Sequence, residues 1–127
     1  MKKSTAISNL WQNTLAQMSD SLFAAEDTEN PVSVSMSDVS SLYELCFLGT
    51  KKIYTQRAEQ LTSYLRHTIE LMEREIETDK YRLEIIIDER KKSIIKENLK
   101  KVETTRNQCV KICLNLEEKI YNSKQGK

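Results

Sequence analysis

The chain has 127 residues, a length that fits one domain. It contains two glycines and one proline, so turn-forming residues are too scarce for a strand-rich fold. The net charge of +1 hides an asymmetry, because residues 4–50 sum to −6 and residues 51–127 to +5. Such a separation can hold the two parts of the chain together, or it can sort partners.

An amphipathic helix is predicted at the start of the chain, within residues 1–25. Apolar side chains recur there at steps of three and four residues, which places them on one face of a helix. Ser4 is predicted to cap this helix, because its hydroxyl can accept a hydrogen bond from an amide of the first turn. The apolar positions are Ile7, Leu10, Trp11, Leu15, Met18, Leu22 and Phe23.

Residues 26–37 are predicted to form an acidic, serine-rich linker. They include Pro31, which lacks the amide hydrogen that a helix interior needs. The helical pattern resumes near Asp38, and Gly49 is expected to mark a kink or a close contact between helices.

Two heptad stripes follow in residues 38–121, with the stripe residues at alternating steps of four and three. This spacing keeps one side of a helix largely apolar and is typical of coiled coils. The first stripe consists of Tyr54, Ala58, Leu61, Leu65, Thr68 and Met72. The second consists of Ile95, Leu99, Val102, Arg106, Cys109, Cys113, Leu116 and Ile120. Residues 122–127 are predicted to be a disordered tail.

Two all-α architectures fit these stripes. In the first, helices over 38–77 and 80–121 form an elongated hairpin that turns near Thr78 and Asp79, where the heptad register slips. In the second, residues 38–121 form one helix of about 125 Å, and its stripes need a second chain, as in a coiled coil. In both, the short N-terminal helix packs on part of the long element and leaves the rest of its apolar stripe uncovered. Uncovered apolar surface of this kind marks interaction sites.

Cys109 and Cys113 are the first candidates for chemistry, because two thiols four residues apart can bind a metal or form a redox pair. A zinc site needs three or four ligands. In the hairpin Cys46 would approach this pair, whereas His67 lies about 30 Å away along the helix. The Cys-x-x-Cys spacing of redox motifs is absent. Both cysteines fall on the second stripe, so we predict small buried side chains, with no metal and no cofactor.

A basic segment spans residues 90–101, with six basic residues and one acid. Such a segment can contact the phosphates of nucleic acid or of anionic lipid, although it lacks aromatic residues that would stack on bases. The favoured interpretation is a solvated helix face that pairs with acidic groups, and an anion-binding patch is the alternative. The basic residues are Arg90, Lys91, Lys92, Lys96, Lys100 and Lys101.

These patterns predict a non-catalytic helical adaptor or scaffold subunit of a multi-protein complex, with nucleic-acid or anionic-membrane binding as the alternative function. The single histidine excludes a histidine pair, and no glycine-rich phosphate loop is present. We expect protein partners, in a homo- or hetero-oligomer assembled by knobs-into-holes packing. The predicted interface residues are Trp11, Leu15, Leu61, Leu65, Met72, Ile95, Leu99, Val102, Arg106, Cys109, Cys113, Leu116 and Ile120.

The sequence also predicts where the protein resides. Three cysteines, an odd number in apolar patterns, indicate reduced thiols and an intracellular protein, cytoplasmic or nuclear. The two lysines near the start are not followed by an apolar segment, so no secretory signal is expected. No transmembrane insertion is expected either, because no run of about eighteen apolar residues occurs.

Overall fold

A computed structural model describes residues 9–20, 34–48 and 52–125, with the side chains of Leu48 and Lys52 excepted. Within these ranges the chain forms four helices and a small two-stranded sheet. Helix α1 spans residues 9–20. The other elements, in chain order, are α2 (Met36–Leu45), β1 (Phe47–Leu48), β2 (Lys52–Ile53), α3 (Thr55–Ile85) and α4 (Glu89–Lys124).

Helices α3 and α4 pack against each other as a long hairpin, which confirms the predicted all-α hairpin fold. Their 31 and 36 residues correspond to about 47 and 54 Å of helix. An ion pair between Arg66 and Glu117 joins them on the surface. The alternative of one continuous helix over 38–121 is wrong, because the chain reverses direction between α3 and α4.

The hairpin turns at residues 86–88, so the predicted turn near Thr78 and Asp79 is wrong. At the observed turn Ile86 has extended backbone angles, φ −81° and ψ 133°. Asp88 then accepts a hydrogen bond at 2.9 Å from an amide in the first turn of α4. A run of three β-branched isoleucines weakens the helix here, and Asp88 caps the next one. The Thr78 hydroxyl instead donates to the carbonyl one turn earlier (2.9 Å), which keeps it inside α3.

A short antiparallel strand pair separates α2 from α3, so the predicted single helix over 38–77 is wrong. Helix α2 begins at Met36, slightly earlier than predicted. Its N-cap is Ser35, whose hydroxyl oxygen accepts a hydrogen bond from the Asp38 amide at 3.3 Å. Strands β1 and β2 then bring the chain back into α3. Gly49, where a kink was predicted, lies outside the described residues.

Arg57, in the first turn of α3, joins three helices at the base of the hairpin, the end where α3 begins and α4 ends. Its guanidinium donates a hydrogen bond to the Leu45 carbonyl at 2.8 Å, which satisfies a terminal acceptor of α2. It also lies 4.4 Å from the ring centroid of Tyr54 and 5.7 Å from that of Trp11 in α1. The buried Trp11 indole donates to Gln60 Oε1 at 2.9 Å. The short N-terminal helix therefore packs on the hairpin, as predicted.

The core lies at this base, where α1 and α2 cover the hairpin. Its fully buried hydrophobic side chains are Val39, Leu42, Cys46, Ala58, Leu61, Leu65, Met72, Cys109 and Leu116. Among the described residues, every buried side-chain nitrogen and oxygen has a hydrogen-bond partner. Helix α4 continues to Lys124, into the segment 122–127 that was predicted as a tail. The predicted cap Ser4, and the parts of the first helix and linker within 21–33, lie outside the described residues.

We expect Asp88→Ala to lower the free energy of unfolding by about 1 kcal/mol, because the substitution removes the N-cap acceptor of α4. Urea denaturation measures the change. Asp88→Asn is the matched control, since asparagine is an equally good N-cap residue, and it should stay within a few tenths of a kcal/mol of the parent. Equal loss in both variants would contradict the capping role.

Candidate interaction surface

Most of the predicted interface residues lie inside the fold of the single chain. The two heptad stripes face each other across the hairpin, and α1 adds its tryptophan. The buried members are Trp11, Leu61, Leu65, Met72, Leu99, Cys109, Cys113, Leu116 and Ile120. The partly exposed members are Leu15, Ile95, Val102 and Arg106. The buried residues therefore stabilise the chain itself, and a surface for a partner must be sought elsewhere.

The cysteine pair of α4 belongs to the core, in the positions that its heptad spacing indicates. Cys109 is fully buried with its sulfur 4.0 Å from the sulfur of Met36 in α2. Cys113 is also buried, and its thiol lies 3.7 Å from a carboxylate oxygen of Glu117. In the parts of the chain that the structure describes, no three histidine, cysteine, aspartate or glutamate side chains come together as metal ligands.

Burial also controls the ionisation of the three thiols. It raises the pKa of Cys46 to about 12 and that of Cys109 to about 11. Burial raises the pKa of Cys113 as well, although Arg66 opposes the shift. Because the thiolate is the reactive form, all three side chains are held in their unreactive state.

The tip of the hairpin, residues 80–99, has four exposed large apolar side chains. The tip residues, as we call them, are Tyr81 (62% exposed), Ile85 (59%), Ile87 (90%) and Ile94 (55%). The buried side chains of α1 and α2 pack in the core at the base of the hairpin, and none of the four tip residues belongs to that core. We predicted an uncovered apolar stretch on the hairpin but did not locate it at residues 80–99, because we expected the turn near Thr78. The three consecutive isoleucines were the sequence signal for it.

A groove of about 400 Å³ lies between α3 and α4 where the cover of α2 ends. We call it the tip groove. Its lining includes Val34, Ile95 and Asn98 and four charged residues, Glu75, Asp79, Arg82 and Lys101. Val34 directly precedes the N-cap of α2, whereas Arg82 and Ile95 belong to the tip. The groove therefore connects the covered base of the hairpin to its exposed end.

Asp79 is a buried carboxylic acid in the wall of this groove. Burial raises its pKa above the ordinary value, and the opposing effect of the Arg82 guanidinium, 3.8 Å away, is smaller. The folded chain thus holds this proton more tightly than the unfolded chain. This contribution to stability is complete below the unfolded pKa, near 3.8, and is lost as the pH rises through the folded pKa.

The six basic residues of segment 90–101 lie on several sides of α4. Lys92 is partly buried and lies 3.8 Å from Glu89, while the other five are exposed. Successive residues of a helix are rotated by about 100°, so Arg90 and Lys92 point to opposite sides. The segment does not gather its charge on one face, and its binding to nucleic acid or anionic membrane stays a prediction.

Comparison with protein-family models, with curated proteins and with solved structures finds no match for this chain. Within residues 9–20, 34–48 and 52–125, no helix has the length and apolar character needed to cross a membrane.

We expect the three thiols of the native protein to react slowly with a disulfide reagent at pH 8, because they are buried and protonated. Denaturant should release three fast-reacting equivalents. Lys100→Cys, at an exposed position of α4, provides the control and should add one fast equivalent to the native protein. Fast reaction of the parent in the folded state would contradict the burial of the cysteines.

We expect Asp79→Asn to increase the free energy of unfolding at pH 7, because the neutral amide avoids the cost of burying a carboxylate. The gain should shrink on acidification and vanish near pH 3, where Asp79 is protonated in both states. Urea unfolding between pH 3 and 7 measures it. Glu77→Gln, an exposed site on α3, should change stability by less than about 0.5 kcal/mol. A variant less stable than the parent at pH 7 would show that the charged form stabilises the fold.

Proposed function

We propose that this protein is a non-catalytic helical adaptor or scaffold subunit of a multi-protein complex, and that it engages its partner through the hairpin tip. The observation that carries the proposal is the exposure of four large apolar side chains at one end of the hairpin, Tyr81, Ile85, Ile87 and Ile94. Exposed apolar patches are typical of interaction sites, and these four side chains all lie close in sequence to the turn between α3 and α4.

The contrast between the two ends of the hairpin supports this proposal. At the base, α1 and α2 cover the facing stripes of α3 and α4. Among the described residues, the exposed large apolar side chains away from the tip are Leu10, Tyr54, Leu114 and Tyr121. At the tip, four large apolar side chains stay exposed, because a helix pair can bury only the facing stripe of each helix. A partner would supply the missing cover. Burial of each tip isoleucine would contribute roughly 1–2 kcal/mol, given the stabilisation that accompanies burial of a whole aliphatic side chain.

The ionisable groups with shifted pKa values support a structural role for the interior. Burial is the main cause of each shift, in Cys46, Cys109, Cys113 and Asp79 and in two tyrosines of the helix contacts. Tyr43, for example, uses its hydroxyl to bridge α2 to α4, donating to Asn115 at 2.6 Å. Helix packing accounts for these shifts.

The test is affinity purification of the tagged full-length chain from its native cells, compared with a tip variant, Ile85→Ser with Ile94→Ser. Both side chains are more than half exposed, so the variant should keep its thermal unfolding midpoint and lose the partner proteins. Leu114→Ser is the matched control, because Leu114 is 60% exposed on α4 far from the tip, and it should retain them.

Two outcomes would contradict the proposal. In one, the parent chain purifies as a monomer without stoichiometric companions. In the other, the tip variant and the Leu114→Ser control retain the same companions in the same amounts, so the tip makes no contribution to the complex.

A further inference from the structure

The first observation is that α2 and the tip groove occupy the same side of the hairpin. Met36, at the start of α2, lies against Cys109, and Tyr43, nearer its end, bonds to Asn115. Helix α2 therefore runs in the same direction as α4. Its path, extended backwards through Val34, enters the tip groove. The groove is thus the continuation of a site that a helix of this chain already fills.

The exposed isoleucines extend the walls of the same groove. Side chains three or four residues apart are neighbours on a helix surface. Ile85 is three residues after Arg82 on α3, and Ile94 is four residues before Asn98 on α4. Both Arg82 and Asn98 line the groove, so Ile85 and Ile94 lie on the same helix faces, closer to the turn.

The groove lining is balanced in charge, because Asp79 and Glu75 accompany Arg82 and Lys101. The excess of positive charge comes from the exposed residues of its rim, among them Lys91, which is three residues from Ile94 on the same face of α4. Residues 80–101 carry eight basic and four acidic side chains, a net charge of +4. A second copy of this chain that docked tip to tip would bring equal positive charge to the site. An acidic partner complements it instead.

The shape of the site favours a helix as its occupant. A third helix packs in the groove between two helices at an interaxial distance of about 8–10 Å, as α2 does at the base. A partner helix with apolar residues at i, i+3 or i+4, and i+7 would place them between Ile85 and Ile94. Acidic residues beside that stripe would meet the basic rim.

An anionic membrane fits the tip less well than an acidic helix. Ile87, the most exposed tip residue, is flanked by Glu84, Asp88 and Glu89. Insertion of Ile87 into a bilayer would bring these carboxylates to the lipid phosphates, where like charges repel. Lys91 and Lys101, on the side of α4, are positively charged and would attract an anionic group.

From these observations we infer that the tip groove binds an acidic amphipathic helix of a partner protein, which completes at the tip the three-helix packing that α2 provides at the base. This inference rests on the proposed adaptor function and names the partner surface for it.

Three synthetic peptides test the inference against the full-length protein by fluorescence anisotropy. The first carries leucine at helical spacing with glutamate elsewhere, the second replaces glutamate by lysine, and the third keeps the composition of the first with the leucines scrambled. We expect the first to bind and the other two to bind at least about tenfold more weakly. Each peptide must be monomeric at the concentration used.

Variants of the chain locate the site. Ile85→Ser with Ile94→Ser should weaken binding of the acidic peptide at least about tenfold, and Leu114→Ser should leave it unchanged. Lys91→Glu with Lys101→Glu, at two exposed positions of the rim, should reverse the preference towards the lysine peptide. A rim reversal that leaves the preference unchanged would overturn the inference.

Other occupants give distinct results, each of which would overturn the inference. A second copy would double the mass in light scattering, and Ile85→Ser with Ile94→Ser would abolish the doubling. A membrane would appear as tip-dependent binding to phosphatidylserine vesicles without peptide binding. If the acidic peptide bound only after neutral replacement of Glu26, Asp27 and Glu29, and not to the parent chain, the chain's own acidic segment would be the occupant of the groove.

The adaptor proposal and this inference fail separately. If no acidic peptide binds but the cellular partners still depend on Ile85 and Ile94, the tip is an interaction surface of different chemistry, and only the helix-in-groove inference is lost. If the cellular partners do not depend on the tip, the proposed function is lost as well.

Discussion

The packing of α3 against α4 is the interaction on which the other features of this structure depend. Each helix offers one stripe to the other, and a helix pair alone cannot bury more than that. Helices α1 and α2 pack over this pair at the base of the hairpin. Since the hairpin is about 50 Å long, its tip extends beyond that cover. The division into a packed base and an exposed tip follows from the unequal lengths of the helices.

Arg57 explains why the cover gathers at the base. One side chain contacts the end of α2 through the Leu45 carbonyl and approaches Trp11 of α1 over the ring face. The planar guanidinium can do both at once, because its edge donates hydrogen bonds while its face stacks on aromatic rings. The strand pair between α2 and α3 then fixes the angle at which α2 returns along the hairpin. These contacts lie at the opposite end of α3 from the exposed isoleucines.

The core could be predicted from the heptad spacing of the apolar residues. The turn could not, because Thr78 and Asp79 can either cap a new helix or continue the old one. Alternating steps of four and three placed Leu65, Cys109 and Leu116 in the core, because heptad spacing depends on helix geometry alone. The turn was misplaced because Thr78 and Asp79 look like cap residues, yet the threonine bonds back to its own helix and the aspartate is buried in the groove. No glycine or proline marks the true turn at residues 86–88, so the sequence did not show which apolar residues would lie at the exposed tip.

Asp79 bears on how the groove would discriminate among partners. A buried carboxylic acid with a raised pKa destabilises the neutral-pH fold relative to an apolar residue, so the wall of the groove is not optimised for stability alone. Its companion Arg82 keeps one charge of each sign inside the groove, and Glu75 and Lys101 add a second pair. A purely apolar helix would leave these groups dehydrated without compensation. A helix with carboxylates beside its apolar stripe would satisfy Arg82 and Lys101, and this difference in cost would favour the acidic helix that we propose.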